Sequence, residues 1–106
     1  MNDEDLLVIQ LTHLDGAAVL ELRGEIDLAT APRLRESVLR ARELGVPVVL
    51  DMSLVTFMDS SGINALVRAS GVDCGAPSPI QIQRPSDRVR HVLSMAGLDN
   101  VFPIKP

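Results

Sequence analysis

A chain of 106 residues, 46% hydrophobic and 23% charged, is enough for one domain and hardly for two. Its net charge of −4, with arginines and acids interspersed, argues against duplex DNA or an anionic membrane as partner. One cysteine, Cys74, excludes an internal disulfide, and no apolar run approaches the ~20 residues of a membrane span.

The start, Met1-Asn2-Asp3-Glu4-Asp5, is acidic and unlike a signal peptide, so a cytoplasmic location is expected, with residues 1–5 flexible. Without Trp or Tyr and with two Phe, the core is expected from Leu, Val, Ile, Ala and Met. Leu6 to Leu14 reads as a strand whose apolar face is Leu7, Ile9 and Leu11. Asp15-Gly16 is a hairpin signal, and Ala17 to Arg23 reads as its antiparallel partner. Gly24-Glu25-Ile26-Asp27 then leaves the sheet.

Thr30 is the expected N-cap of a helix from Ala31 to Leu44, with Pro32 tolerated in its first turn. Leu34, Val38 and Ala41 form its buried stripe; Arg33, Glu36, Arg40 and Glu43 face water. Gly45 stops it. Val46 to Met52 is apolar on both faces except at Asp51, as in a central strand reached by a parallel crossover.

Thr56-Phe57-Met58-Asp59-Ser60-Ser61-Gly62 follows as a strand-to-helix turn, and the pattern Ile63, Leu66, Val67 and Ser70 predicts a helix ending at Ser70. Gly71 to Ser78 reads as a loose connection, with a frayed helical continuation through Cys74 as the alternative. Pro79 to Gln83 is a fourth strand. Ser86 or Asp87 caps a third helix through Ala96, with Val89, Val92, Leu93 and Ala96 inward and Gly97 at its end. Val101 to Ile104 is a short last strand, suited by its prolines to a sheet edge. The order β-β-α-β-α-β-α-(β) predicts a single α/β domain: a mixed four- to five-stranded sheet with helices on one face.

Most chemistries lack their residues. His13, His91 and Cys74 show no metal-ligand spacing, and Cys74 reads as a plain free thiol. The nucleophile elbow needs glycines two residues before and after its serine, which neither Ser60 nor Ser61 has. No glycine-rich phosphate loop is present, and the lone lysine is Lys105. No catalytic residue, metal or cofactor is therefore expected.

The serine pair at the helix mouth stands out. The ordinary role of such a serine is a cap, worth about 1 kcal/mol. Three details go further. A second serine is redundant for capping. Gly62 leaves the adjacent backbone uncluttered. Asp59 sets a carboxylate beside the hydroxyls, where it can stabilise the helix dipole, orient a hydroxyl or meet a metal-nucleotide supplied by a partner.

At these residues the chain resembles the anti-sigma factor antagonists, small single-domain STAS proteins. Gly24-Glu25-Ile26-Asp27 is similar to the family's corner before the first helix, and Val49-Leu50-Asp51-Met52-Ser53 to its central strand. Phe57-Met58-Asp59-Ser60-Ser61-Gly62 matches its signature. Ser86 to Leu93 and Gly97 to Phe102 match its last helix and ending. The region from Gly71 to Pro79 departs from the family's usual Arg/Ala-rich second helix.

The resemblance implies one STAS domain over residues 1–106, in which the serine before glycine, Ser61, is phosphorylated. Ser60 then becomes the cap or helper. The implied kinase is an anti-sigma factor that binds ATP. The unphosphorylated chain would bind it and free a sigma factor for transcription; phosphorylation would release it, and a phosphatase would reset the switch. Asp27, Asp59, Ser60, Asn64 and Arg68 are the expected contact residues, Asp27 reading equally as a structural corner. Two alternatives stand beside this switch: a STAS scaffold that is not phosphorylated, and a subunit docked on a transporter.

Overall fold

The computed structural model describes residues 6–71, 80–98 and 100–106. The expected flexibility of residues 1–5, the conformation of the segment after Gly71 and the state of Cys74 lie outside the described residues.

Strands β1 (Leu7–Leu14) and β2 (Ala17–Ile26) form the expected antiparallel hairpin. Asp15 and Gly16 both have positive φ, 53° and 79°, as a tight two-residue turn requires. Helix α1 (Ala31–Arg42) leads to β3 (Val48–Met58), helix α2 (Ser60–Ser70) to β4 (Ile80–Gln83), and helix α3 (Asp87–Met95) to β5 (Ile104–Lys105). The sheet order is β1-β2-β3-β4-β5, parallel from β2 onward. Every parallel crossover steps one strand in the same direction, so right-handed connections put all three helices on one face.

That face carries the core: Leu20, Leu22, Leu50, Met52 and Ile82 from the sheet, and Leu34, Val38, Leu66 and Leu93 from the helices. Phe102, 1% exposed, joins the Leu, Val, Ile, Ala and Met from which the core was expected. Among the described residues no helix covers the opposite face. The expected apolar face of β1 fades along its length: Leu7 is buried, Ile9 half-buried and Leu11 48% exposed.

Several boundaries differ from expectation. Strand β2 runs through Ile26 rather than leaving the sheet at Gly24. Strand β3 starts two residues later than Val46 and continues to Met58. It carries an extra residue opposite Glu21–Arg23 and another opposite Gly24–Glu25. These irregularities break the two-residue alternation that would have marked the strand. Asp51, on the open face, anchors the first of them. Its carboxylate accepts the Ser53 N–H at 3.1 Å and the Ser53 hydroxyl at 2.8 Å, and pairs with Arg84. Burial pushes the Asp51 pKa up, but these hydrogen bonds and the guanidinium outweigh it, leaving the pKa below the ordinary carboxylate value.

Helix α1 ends two residues before Leu44, and Thr30 occupies its N-cap position without a side-chain cap bond. Arg33, expected in water, is half-buried and donates to the Leu7 carbonyl at 2.7 Å. Ser86 caps α3 by accepting the Val89 N–H at 3.3 Å. Ala96, expected inward, is exposed just past the end of α3, and Val101 and Pro103 lie outside β5. Among the described residues no helix is long and apolar enough to cross a membrane.

Candidate functional site

Two chain turns meet at the carboxyl ends of β2 and β3, where open α/β sheets ordinarily bind their ligands. The first follows Ile26. Asp27 Oδ1 accepts the N–H groups of Ala29 and Thr30 at 3.0 and 3.1 Å. The Thr30 hydroxyl donates to the Glu25 carbonyl and accepts the Asp27 N–H, both at 2.9 Å. This is why Thr30 does not cap α1: its hydroxyl is committed to the corner. The structure thus realises the corner role of Asp27.

The second turn is a single residue, Asp59, not the longer loop expected from Thr56 onward. Its N–H donates to the Ile26 carbonyl at 3.3 Å, which ties the two turns together. Its extended backbone is followed by helix, and its Oδ1 accepts the Ser61 N–H at 2.8 Å. Asp59 is therefore the N-cap, and the expectation that Ser60 caps α2 is corrected. Ser60 is already the first helical residue and is exposed; Ser61 is the second and half-buried. Among the described residues neither hydroxyl has a hydrogen-bond partner.

Gly62 is needed for a different reason from the one expected. It is buried, and a Cβ there would lie 2.6 Å from Met58 Cγ and 2.8 Å from Ile26 Cγ2. The glycine lets the first turn of α2 settle onto the ends of β2 and β3. That contact sets the height at which Ser61 emerges.

Asn64 and Arg68 are exposed along α2, one and two turns beyond Ser60 and Ser61, and Arg68 Nε donates to Asn64 Oδ1 at 3.2 Å. The structure brings Ser61, Asn64 and Arg68 to one side of a groove of about 340 Å³ between α1 and α2, with Leu28, Pro32 and Arg35 opposite. Asp27 and Asp59 are not among the residues lining it.

Sequence reasoning missed Leu28 and Arg35. Leu28 is 81% exposed at the edge of the groove, an apolar side chain in a loop where burial had no claim on it. That mismatch between residue type and loop position was its only signal. Arg35 gave none, since α1 has arginines on several faces. Arg88 also approaches the site from α3: its guanidinium lies 4.8 Å from the Phe57 ring centroid and its Nε 3.4 Å from the Met58 carbonyl.

The model of the STAS domain family matches residues 8–106. An anti-sigma-B factor antagonist of Listeria monocytogenes is 32% identical over 95 residues, covering 88% of this chain and 79% of its own. The crystal structure of an anti-sigma factor antagonist from Mycobacterium paratuberculosis is similar with a TM-score of 0.82 and 27% identity, covering 100% of this chain and 91% of that one. The anti-sigma factor antagonist SpoIIAA in its unphosphorylated form is similar with a TM-score of 0.70 and 25% identity, covering 92% and 87%.

Proposed function

This chain belongs to the STAS domain family, and on that premise we propose that it is an anti-sigma factor antagonist switched by phosphorylation of Ser61. The observation that carries this reading is the division of labour at the start of α2. Asp59 takes the capping bond, which leaves the Ser61 hydroxyl unpartnered among the described residues and half-exposed at the groove. The names of the similar proteins support the antagonist role, and a similar protein described in an unphosphorylated form supports a phosphorylation switch.

The chain supplies an acceptor, and the chemistry belongs to its partner, an anti-sigma factor with serine kinase activity. The Ser61 oxygen attacks the γ-phosphorus of ATP held by that partner. The bond from phosphorus to the ADP oxygen breaks, and the hydroxyl proton leaves to a base. A phosphatase later transfers the phosphoryl group to water. In the unphosphorylated state Leu28, Ser60, Asn64 and Arg68 dock the partner, which lets go of its sigma factor. Asp27 and Asp59 shape this surface and keep its near edge acidic.

Phosphorylation adds roughly −1.5 to −2 charge at a half-buried position. The added group must be desolvated on docking, at a cost of about 2–4 kcal/mol. That weakens binding by about 30- to 1000-fold, enough for a switch without refolding.

Incubation with a cognate anti-sigma kinase and ATP, followed by intact mass measurement, tests the assignment. Addition of a single phosphate, absent in Ser61→Ala, is expected. Unchanged labelling of that variant would overturn Ser61 as the acceptor. Titration of the kinase with modified and unmodified protein then reads the loss of affinity.

A further inference from the structure

A phosphate at the start of a helix ordinarily rests on free backbone N–H groups. Here the serine's own N–H is taken: the Asp59 carboxylate already holds it at 2.8 Å and puts negative charge beside it. A phosphoryl group on Ser61 is repelled from that side and has to find cations elsewhere.

The groove between α1 and α2 offers them. Ser61, Arg35 and Arg68 line the same space of about 340 Å³, which holds a phosphoryl group with several waters. Neither arginine has a carboxylate partner among the described residues; the ion pairs found there are Arg40–Glu36 and Arg84–Asp51. Arg68 lies seven residues beyond Ser61, two turns and about 10 Å along the axis, on the same side of the helix. Long helical side chains lean toward the helix start. Arg68 does so: its Nε reaches back to Asn64 Oδ1, one turn nearer Ser61, leaving its terminal nitrogens for another acceptor. Arg35 lines the groove from the α1 side.

We propose that the phosphoryl group of Ser61 turns away from Asp59 into the α1–α2 groove, where Arg35 and Arg68 hold it. This deepens the proposed function and rests on Ser61 being the phosphoacceptor. Two guanidinium groups match the charge of a phosphoserine and bind it through paired, charge-assisted hydrogen bonds. The switch then works by capture. The phosphate fills the groove and withdraws both cations from the surface offered to the partner. Without phosphate, the same cations stay available to the partner at the groove.

Phosphoserine is installed at position 61 during translation, so the experiment needs no kinase. Phosphorus NMR follows its second ionisation against pH in the native background, in Arg35→Ala/Arg68→Ala and in Arg40→Ala. Capture predicts a value below the ordinary one of about 6, rising by about half a unit or more in the double variant and staying put in Arg40→Ala. Equal titration in the native background and the double variant overturns the proposal. So does an equal rise in Arg40→Ala, which would mean that net charge alone is being read. Thermal unfolding of the unphosphorylated variants verifies that each is folded. Failure of the underlying reading shows separately, as a kinase that leaves Ser61 unmodified while the installed phosphate is still captured.

Discussion

Replacing Asp59 separates two roles that its position combines. Its Oδ1 accepts the Ser61 N–H at 2.8 Å, and its charge faces the positive end of α2. Asp59→Ala removes both. Loss of an N-cap costs about 1 kcal/mol, within a range of about 0.5–2, and the lost charge–dipole attraction adds about 0.3–1. The expected total is about 1–2 kcal/mol. In a domain of this size each kcal/mol moves Tm by about 4–8 °C, so the variant should melt about 5–15 °C lower. Asp59→Asn keeps an oxygen acceptor and loses only the charge, so its Tm should fall by no more than about 8 °C. Ser60→Ala should stay within about 0.5 kcal/mol, because Ser60 lies inside the helix and caps nothing. Scanning calorimetry or thermal circular dichroism reads all three. If Ser60→Ala cost as much as Asp59→Ala, the start of α2 would be misassigned and with it the exposure of Ser61. Once calorimetry shows Asp59→Asn folded, its rate of phosphorylation by the proposed partner kinase isolates the recognition role.

Other substitutions probe the neighbourhood. Gly62→Ala gains about 1 kcal/mol of helix propensity but forces contacts of 2.6 and 2.8 Å with Met58 and Ile26. Overpacking of that kind costs about 1–3 kcal/mol, so denaturant unfolding should show a net loss of up to about 2 kcal/mol. A variant more stable than the parent would show that the glycine is not a packing requirement. Leu28→Ala, at a side chain 81% exposed, should leave unfolding unchanged and weaken binding to the proposed partner kinase about tenfold or more by calorimetric titration; unaltered affinity would remove Leu28 from the proposed interface.

Asp51 predicts a pH dependence. Its folded pKa is below the unfolded value, so the stability it contributes is present above about pH 4 and is lost as pH falls through the lower, folded pKa. Asp51→Asn should be less stable than the parent by about 1–2 kcal/mol at pH 7, the gap closing below pH 4. A gap that persists undiminished in acid would mean that the carboxylate's charge contributes nothing.

Much of the molecule was legible locally. The Asp15-Gly16 hairpin, the Leu34–Val38–Ala41 stripe, the Ser86 cap and the stop at Gly97 all rest on turn chemistry or on the 3.6-residue period. These are properties of a few consecutive residues, so one sequence displays them. The motif from Phe57 to Gly62 was legible for the same reason, and with it the family. The far end of β3 was not, because its added residues put Met52 and Val55 in the core three apart, where simple alternation expects two.

What the chain's sequence determined by itself, then, is the order of its elements, the family they compose and the serines at the mouth of α2. Only the tertiary structure decided what each residue there does. Thr30 is diverted from its helix by the Glu25 carbonyl five residues away, so Asp27 and Thr30 close a corner together. Asp59 displaces Ser60 as the cap because its N–H is held by Ile26 at the end of another strand. Gly62 answers to Met58 and Ile26, and Arg35 comes to share a groove with Ser61 only when α1 packs on α2. The physical reason is common to all of these: the partners are distant in sequence or on different elements, and contacts across elements leave no period and no motif in the chain that makes them.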